Sequence, residues 1–110
     1  MTITRVQGNA RGLAGNGVTS FTVTMESTPT SGNIIILAYL GGDSSNPLSS
    51  ITQTNVTWTG GGNGKQVGLT DATCDQTVEI WLGTIAASAD TVITVNITGT
   101  TGVYGAMANA

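Results

Sequence analysis

Apolar and polar residues alternate along several stretches of this chain, with the period of two that places successive side chains on opposite faces of a β-strand. One stretch shows the pattern clearly, because Phe21, Val23 and Met25 share one face while Thr22 and Thr24 share the other. Clusters of Gly, Asn and Ser, which favour turns, separate such stretches. The pattern predicts an all-β chain of short strands joined by turns.

Two later stretches alternate in the same way. Residues 91–98 are predicted to point Ile93, Val95 and Ile97 into the core. Residues 76–82 are predicted to form a strand with two distinct faces. The predicted inward residues of that strand are Val78, Ile80 and Leu82, and the predicted outward residues are Thr77, Glu79 and Trp81.

Shorter strands complete the prediction at 2–7, 50–59, 65–69 and 102–108. The glycine-rich residues 60–64 are predicted to form a hairpin loop, since Gly and Asn tolerate positive φ.

The length of 110 residues predicts a single domain, residues 1–110, with one hydrophobic core. About seven or eight strands of this kind are expected to pack as an antiparallel two-sheet β-sandwich, of the jelly-roll or immunoglobulin-like type. The residues predicted to fill its core are Phe21, Val23, Ile35, Leu37, Ile80, Ile93 and Val95.

The chain carries few titratable groups, which limits the chemistry that it can perform. It has no His, three basic residues and six acidic ones. General acid–base catalysis needs a group that titrates near neutral pH, most often His, so we expect neither an enzyme nor a cofactor. Binding to nucleic acid needs clustered cations, whereas this chain has only Arg5, Arg11 and Lys65. No apolar run reaches the ~18 residues of a membrane span, so no membrane insertion is expected.

The acidic residues provide one weak metal candidate. Asp71 and Asp75 lie in one predicted loop and could supply part of a calcium site, although solvated turn acids are the favoured interpretation. The single Cys74 allows no intrachain disulfide and is interpreted as an incidental thiol. Asn55 and Asn96 begin N-glycosylation sequons, which Thr-rich strands also produce by chance.

Trp81 stands out among the aromatic residues, because it is predicted to lie on an outward face beside Glu79. Three interpretations stay open for it: packing under a neighbouring loop, contact with another protein, and stacking on a sugar. Tyr39 and Tyr104 are further candidates for contact with a partner or a glycan, whereas Trp58 is interpreted as a core residue.

Two predicted strands depart from the pattern of a plain sandwich. Residues 34–40 are apolar on both faces, so this strand should be covered on both sides, by residues 11–17 or by a neighbouring subunit. Residues 102–110 form a small, uncharged, apolar strand without the Lys, Pro or bulge that usually protects a sheet edge. That strand should therefore pair inside the sheet or with another chain.

Three segments together resemble a known module: Thr-Ser-Gly-Asn at 30–33, Val-Glu-Ile-Trp at 78–81, and Asp-Thr-Val-Ile-Thr-Val at 90–95. Over residues 19–108 the chain resembles a β-sandwich module of large secreted bacterial and archaeal proteins and of phage tail or surface proteins. The resemblance implies a jelly-roll or immunoglobulin-like sandwich that serves surfaces, adhesion or assemblies without catalytic residues. The module usually continues beyond Ala108, which implies an open groove that a strand from a neighbour could fill.

These observations predict a non-enzymatic structural subunit of an extracellular, pilus-like filament or of a virion surface, present as a homo-oligomer or homopolymer. Association would use β-strand complementation, with residues 1–7 or 102–110 exchanged, or sheet packing. The alternative is a carbohydrate-binding or adhesion module for a cell-surface glycan, which Tyr39 or Trp81 would contact. The predicted subunit-interface residues are Ile3, Val6, Ile34, Ile36, Trp81, Val103, Tyr104 and Met107.

Overall fold

The computed structural model describes residues 4–8, 10–15, 17–42, 47–58, 65–99 and 104–110, which contain nine β-strands and no helix. The strands are β1 (Ala10–Ala14), β2 (Ser20–Thr24), β3 (Ile34–Gly41), β4 (Leu48–Thr52), β5 (Val56–Trp58), β6 (Lys65–Asp71), β7 (Gln76–Ile85), β8 (Val92–Ile97) and β9 (Tyr104–Asn109).

The strands form two antiparallel sheets, which confirms the prediction of an all-β two-sheet fold. The large sheet has six strands in the order β1-β9-β3-β7-β5, with β6 also paired to β7, and the small sheet has the order β2-β8-β4. Within the described part of the chain, no helix is long and apolar enough to cross a membrane.

The core lies between the two sheets and is built largely from the alternating strands. In the small sheet, Phe21 is paired with Val95 and Val23 with Ile93, and all four side chains are buried. Their polar neighbours on β2, such as Thr22, are exposed. The predicted faces of β2 and β8 are therefore confirmed, because a half-buried antiparallel strand must bury every second side chain.

The predicted face of β7 is wrong. Thr77, Glu79 and Trp81 are buried, whereas Val78 and Ile80 are 43% and 37% exposed. Pairing with β3 explains the inversion, because paired residues of an antiparallel sheet share a face. Leu37 is paired with Trp81 and Tyr39 with Glu79, so the buried face of β3 takes these residues of β7 into the core with it. Ile80, predicted as a core residue, consequently lies outside the core.

Among the described residues, β3 is covered on one face only. Ile35, Leu37 and Tyr39 are buried against the small sheet, while Ile34 and Ile36 on the opposite face remain 53% and 48% exposed. Residues 11–14, part of the segment expected to cover this face, belong to β1 and extend the same sheet. The strand β1 was not predicted from the sequence, because its Ala and Gly residues have low β-propensity.

The C-terminal strand pairs inside its own sheet. β9 lies between β1 and β3, so its backbone groups have partners on both sides. The described N-terminal residues form no strand, in contrast to the strand predicted over 2–7. Instead, the backbone N–H groups of Val6 and Gln7 donate to the carbonyl oxygen of Ala110 at 2.8 and 2.7 Å.

The strands β5 and β6 do not form the predicted hairpin with each other. Both pair antiparallel with β7, Val56 opposite Ile85 and Asp71 opposite Gln76, so they follow one another along the same edge in the same direction. Residues 60–64 lie outside the described residues. The hairpin is formed by β6 and β7 around the turn at 72–75.

Gly12 allows β1 to cross β2 at close range. A Cβ atom at Gly12 would overlap the backbone oxygen of Thr22 and lie 3.0 Å from side-chain atoms of Phe21 and Val23. We therefore expect Gly12→Ala to lower the free energy of unfolding by roughly 1–3 kcal/mol through overpacking. Urea denaturation measures this loss, and Gly15→Ala is the control, since no atom lies within 4 Å of its Cβ position. Equal stability of the two variants would contradict the close crossing.

Candidate interaction surface

The outward face of the large sheet carries a continuous apolar surface. We call the six large side chains that are exposed there, 37–67% each, the outer apolar face. These residues are Ile34, Ile36 and Leu40 of β3, Val78 and Ile80 of β7, and Leu69 of β6. Register places them side by side, because Leu40 is paired with Val78 and Val78 with Leu69.

The half-buried residues between these six complete the surface. Ile36 is paired with Leu82 and Ile80 with Ala38, and both partners are partly buried. None of the described side chains on this outward face of β3 and β7 is charged. Soluble monomers rarely expose apolar patches larger than a few hundred Å², so such a face indicates an interaction site.

A groove borders the outer apolar face where the N-terminal segment passes the end of the sheet. Its volume is about 780 Å³, and its lining includes Val6, Ile34, Ile36, Leu82 and Ala110. The N-terminal segment is held there by its backbone bonds to Ala110. The groove thus brings together three of the residues predicted for an interface, Val6, Ile34 and Ile36.

Trp81 and Tyr39 lie in the core, which corrects their expected place on the surface. Each is 1% exposed. The indole N–H of Trp81 donates to Glu79 Oε2 at 2.7 Å, so the one polar atom of the ring is satisfied inside the protein. Neither ring is open to a glycan or a neighbouring subunit in this fold, because stacking requires an accessible ring face.

The remaining predicted interface residues lie on β9 or outside the described residues. The backbone of Tyr104 and Met107 belongs to β9, where Tyr104 is paired with Gly41 and Met107 with Ala38, and their side chains are outside the description. Ile3 and Val103 lie outside the described residues.

Asp71 stabilises the turn of the β6–β7 hairpin. Its Oδ1 atom accepts hydrogen bonds from the backbone N–H groups of Thr73 at 2.8 Å and Cys74 at 3.1 Å. These two bonds, Cys74 first, hold the pKa of Asp71 below its ordinary value of 3.8. Among the described residues, no group of three or more His, Cys, Asp or Glu side chains could hold a metal ion. The local structure therefore gives Asp71 a role in the turn.

The hydrogen bonds of Asp71 predict a pH-dependent contribution to stability. Since its pKa is lower in the folded chain, the contribution is present above pH 3.8 and is lost as the pH falls through the lowered pKa. We expect Asp71→Ala to be less stable than the unaltered chain near neutral pH and the difference to shrink in acid. Urea denaturation across this pH range measures the difference in the free energy of unfolding between the two proteins. Asp71→Asn separates the effect of charge from that of turn geometry, since its amide oxygen can still accept both hydrogen bonds. A stability difference between Asp71→Ala and the unaltered chain that stays constant with pH would contradict the prediction.

Comparisons with protein-family models, with curated proteins and with solved structures found no match to this chain. The relation to the secreted β-sandwich module therefore stays a prediction from the sequence.

Proposed function

We propose that this chain is a non-enzymatic structural subunit that packs against copies of itself through the outer apolar face. The observation that carries the proposal is the exposure of six large apolar side chains on neighbouring strands of one sheet. Burying them would remove an unfavourable contact with water, which is the main driving force of most protein association.

A second copy of the chain is the occupant that suits this face best. The exposed fractions of its six residues correspond to roughly 500–600 Å² of surface, so two such faces together approach the lower limit of a specific interface, about 1,200 Å². A net charge of only −3 opposes the approach of two copies weakly. A membrane surface fits less well, because anionic lipids attract clustered Lys and Arg and the chain has three basic residues in all.

Sheet packing is favoured over strand complementation as the mode of association. The backbone of β9 already pairs with β1 and β3, and residues 6–7 are bonded to Ala110. Exchanging either terminal segment would first require these bonds to break. Stacking two sheets face to face about 10 Å apart leaves them intact.

The assembly that we propose belongs to a cell-surface filament or a virion surface. The low charge, the Thr-rich strands and the resemblance to surface modules support this placement, and the finer jelly-roll or immunoglobulin-like assignment rests on that resemblance. The burial of Tyr39 and Trp81 argues against the carbohydrate-binding role that these two residues were expected to perform.

Sedimentation velocity of the unaltered chain over a wide range of concentrations tests the proposal. We expect a mass above that of the monomer, increasing with concentration and maintained or raised by sulfate, which strengthens apolar association. Electron microscopy of the same sample distinguishes a filament from a closed oligomer. A monomer at every concentration would contradict self-association.

A further inference from the structure

A second cleft lies where one edge of the small sheet meets one edge of the large sheet. The strand β4 ends at Thr52 and β5 begins at Val56, so the chain passes here from one sheet to the other within three residues. The cleft has a volume of about 460 Å³, and its lining includes Gln53, Trp58 and the exposed hydroxyl residues Ser49, Thr52 and Thr57. It lies away from the outer apolar face, with which it shares no lining residue.

The side chains at the base of the cleft are held in defined positions. The amide Nε2 of Gln53 donates to the backbone oxygen of Asp90 at 2.6 Å, which fixes the orientation of that amide. The ring of Trp58 packs on β7 at Gly83, where an added Cβ would lie 3.1 Å from ring atoms. Both side chains are therefore held in place by contacts with neighbouring residues in the unbound chain.

Two polar atoms in this lining lack hydrogen bonds. Within the described residues, Gln53 Oε1 and Trp58 Nε1 are buried and have no partner. A buried polar atom that stays unpaired destabilises the folded chain, and native proteins keep few of them. One atom is an acceptor and the other a donor, and a hydroxyl group can pair with either kind of atom.

We propose that this cleft binds a hydroxylated small molecule of the carbohydrate class, whose hydroxyl groups donate to Gln53 Oε1 and accept from Trp58 Nε1. A hydroxyl is the common ligand group that donates and accepts at one oxygen. None of the described residues that line the cleft is charged, which disfavours anions and metal ions. An aromatic ring beside several hydroxyls is the combination that suits a sugar, which has apolar C–H faces and polar rims. Both atoms are buried in the unbound chain, so binding would require the Gln53 amide to leave Asp90 or the Trp58 ring to turn.

Nuclear magnetic resonance of the ¹⁵N-labelled full chain tests the proposal through its two indole N–H signals. The probes are glucose, galactose, N-acetylglucosamine and glycerol, followed by an array of natural glycans. We expect the Trp58 signal to shift and saturate with at least one probe while the Trp81 signal stays in place. Trp58→Phe, which keeps a ring but removes the N–H group, assigns the signal and should weaken binding at least tenfold, as measured on the backbone amides of 49–57.

A second variant and a control keep the test decisive. Gln53→Met should also weaken binding at least tenfold, which matters if Trp58→Phe does not fold. Ile80→Lys, placed on the outer apolar face, should bind the sugar normally, so failure of self-association and failure of this proposal can be told apart. The proposal is overturned if no probe or glycan gives a saturable shift, or if a crystal structure grown with the probe shows only an ordered water between the two atoms.

Discussion

Replacing Trp81 by alanine should lower the free energy of unfolding by about 3–5 kcal/mol, the range for removing a large buried aromatic side chain. Trp81 is 1% exposed and is among the largest side chains in the core. Its loss would leave a cavity between the sheets and remove the hydrogen bond to the buried Glu79 carboxyl group. The loss of this one hydrogen bond adds to the cost of the cavity.

Trp58→Ala is the matched control for this prediction. Trp58 is only partly buried and lies on the short edge strand β5, so its removal should cost clearly less. Urea denaturation followed by circular dichroism compares both variants.

Domains of this kind are stable by only ~5–15 kcal/mol, so Trp81→Ala can prevent folding. Trp81→Phe keeps most of the ring, removes the donor and should cost about 1–3 kcal/mol. A loss at Trp81 no larger than at Trp58 would indicate that Trp81 lies on the surface.

Combining Ile36→Lys with Ile80→Lys should weaken self-association by roughly 100–1,000-fold, as expected when two central contacts of an interface each cost about 1.4–2 kcal/mol. Both side chains lie at the centre of the outer apolar face and are 48% and 37% exposed. A lysine ammonium buried between two stacked sheets would lose its hydration without gaining a partner. Sedimentation velocity should show monomer at concentrations where the unaltered chain is associated.

Val92→Lys is the matched control for the outer face. Val92 is also 37% exposed, but it belongs to β8 of the small sheet. We expect this variant to associate as the unaltered chain does. At concentrations where all three proteins are monomeric, they should unfold at similar urea concentrations, because exposed positions are changed. Unchanged association of the double variant would show that another surface holds the copies together.

Part of the candidate surface, on β3, could be predicted from the sequence. Residues 34–40 are apolar on both faces, so both faces of this strand were expected to be covered, and Ile34 and Ile36 were expected at an interface. The structure places both on the outer apolar face, together with Val78, Ile80 and Leu69, which were not expected there. These three were missed because their exposure depends on which face of β7 joins the core. The cleft at Gln53 and Trp58 was missed as well, since two unpaired polar atoms become visible only when the neighbours of each atom are known.

The all-β fold and the buried faces of β2 and β8 could be predicted from the sequence alone. In both strands an apolar face alternates with a polar one, and burying the polar face would leave its side chains without hydrogen-bond partners. Tertiary structure decided the face of β7, the existence of β1, and the central position of β9. In β7 the more apolar face, which carries Val78 and Ile80, is the exposed one. The pairing register with β3 decides this, because it aligns Trp81 with the buried Leu37. Weak strands such as β1 form because a neighbour offers its backbone groups. Both effects come from contacts between residues far apart in the chain, which local patterns do not contain.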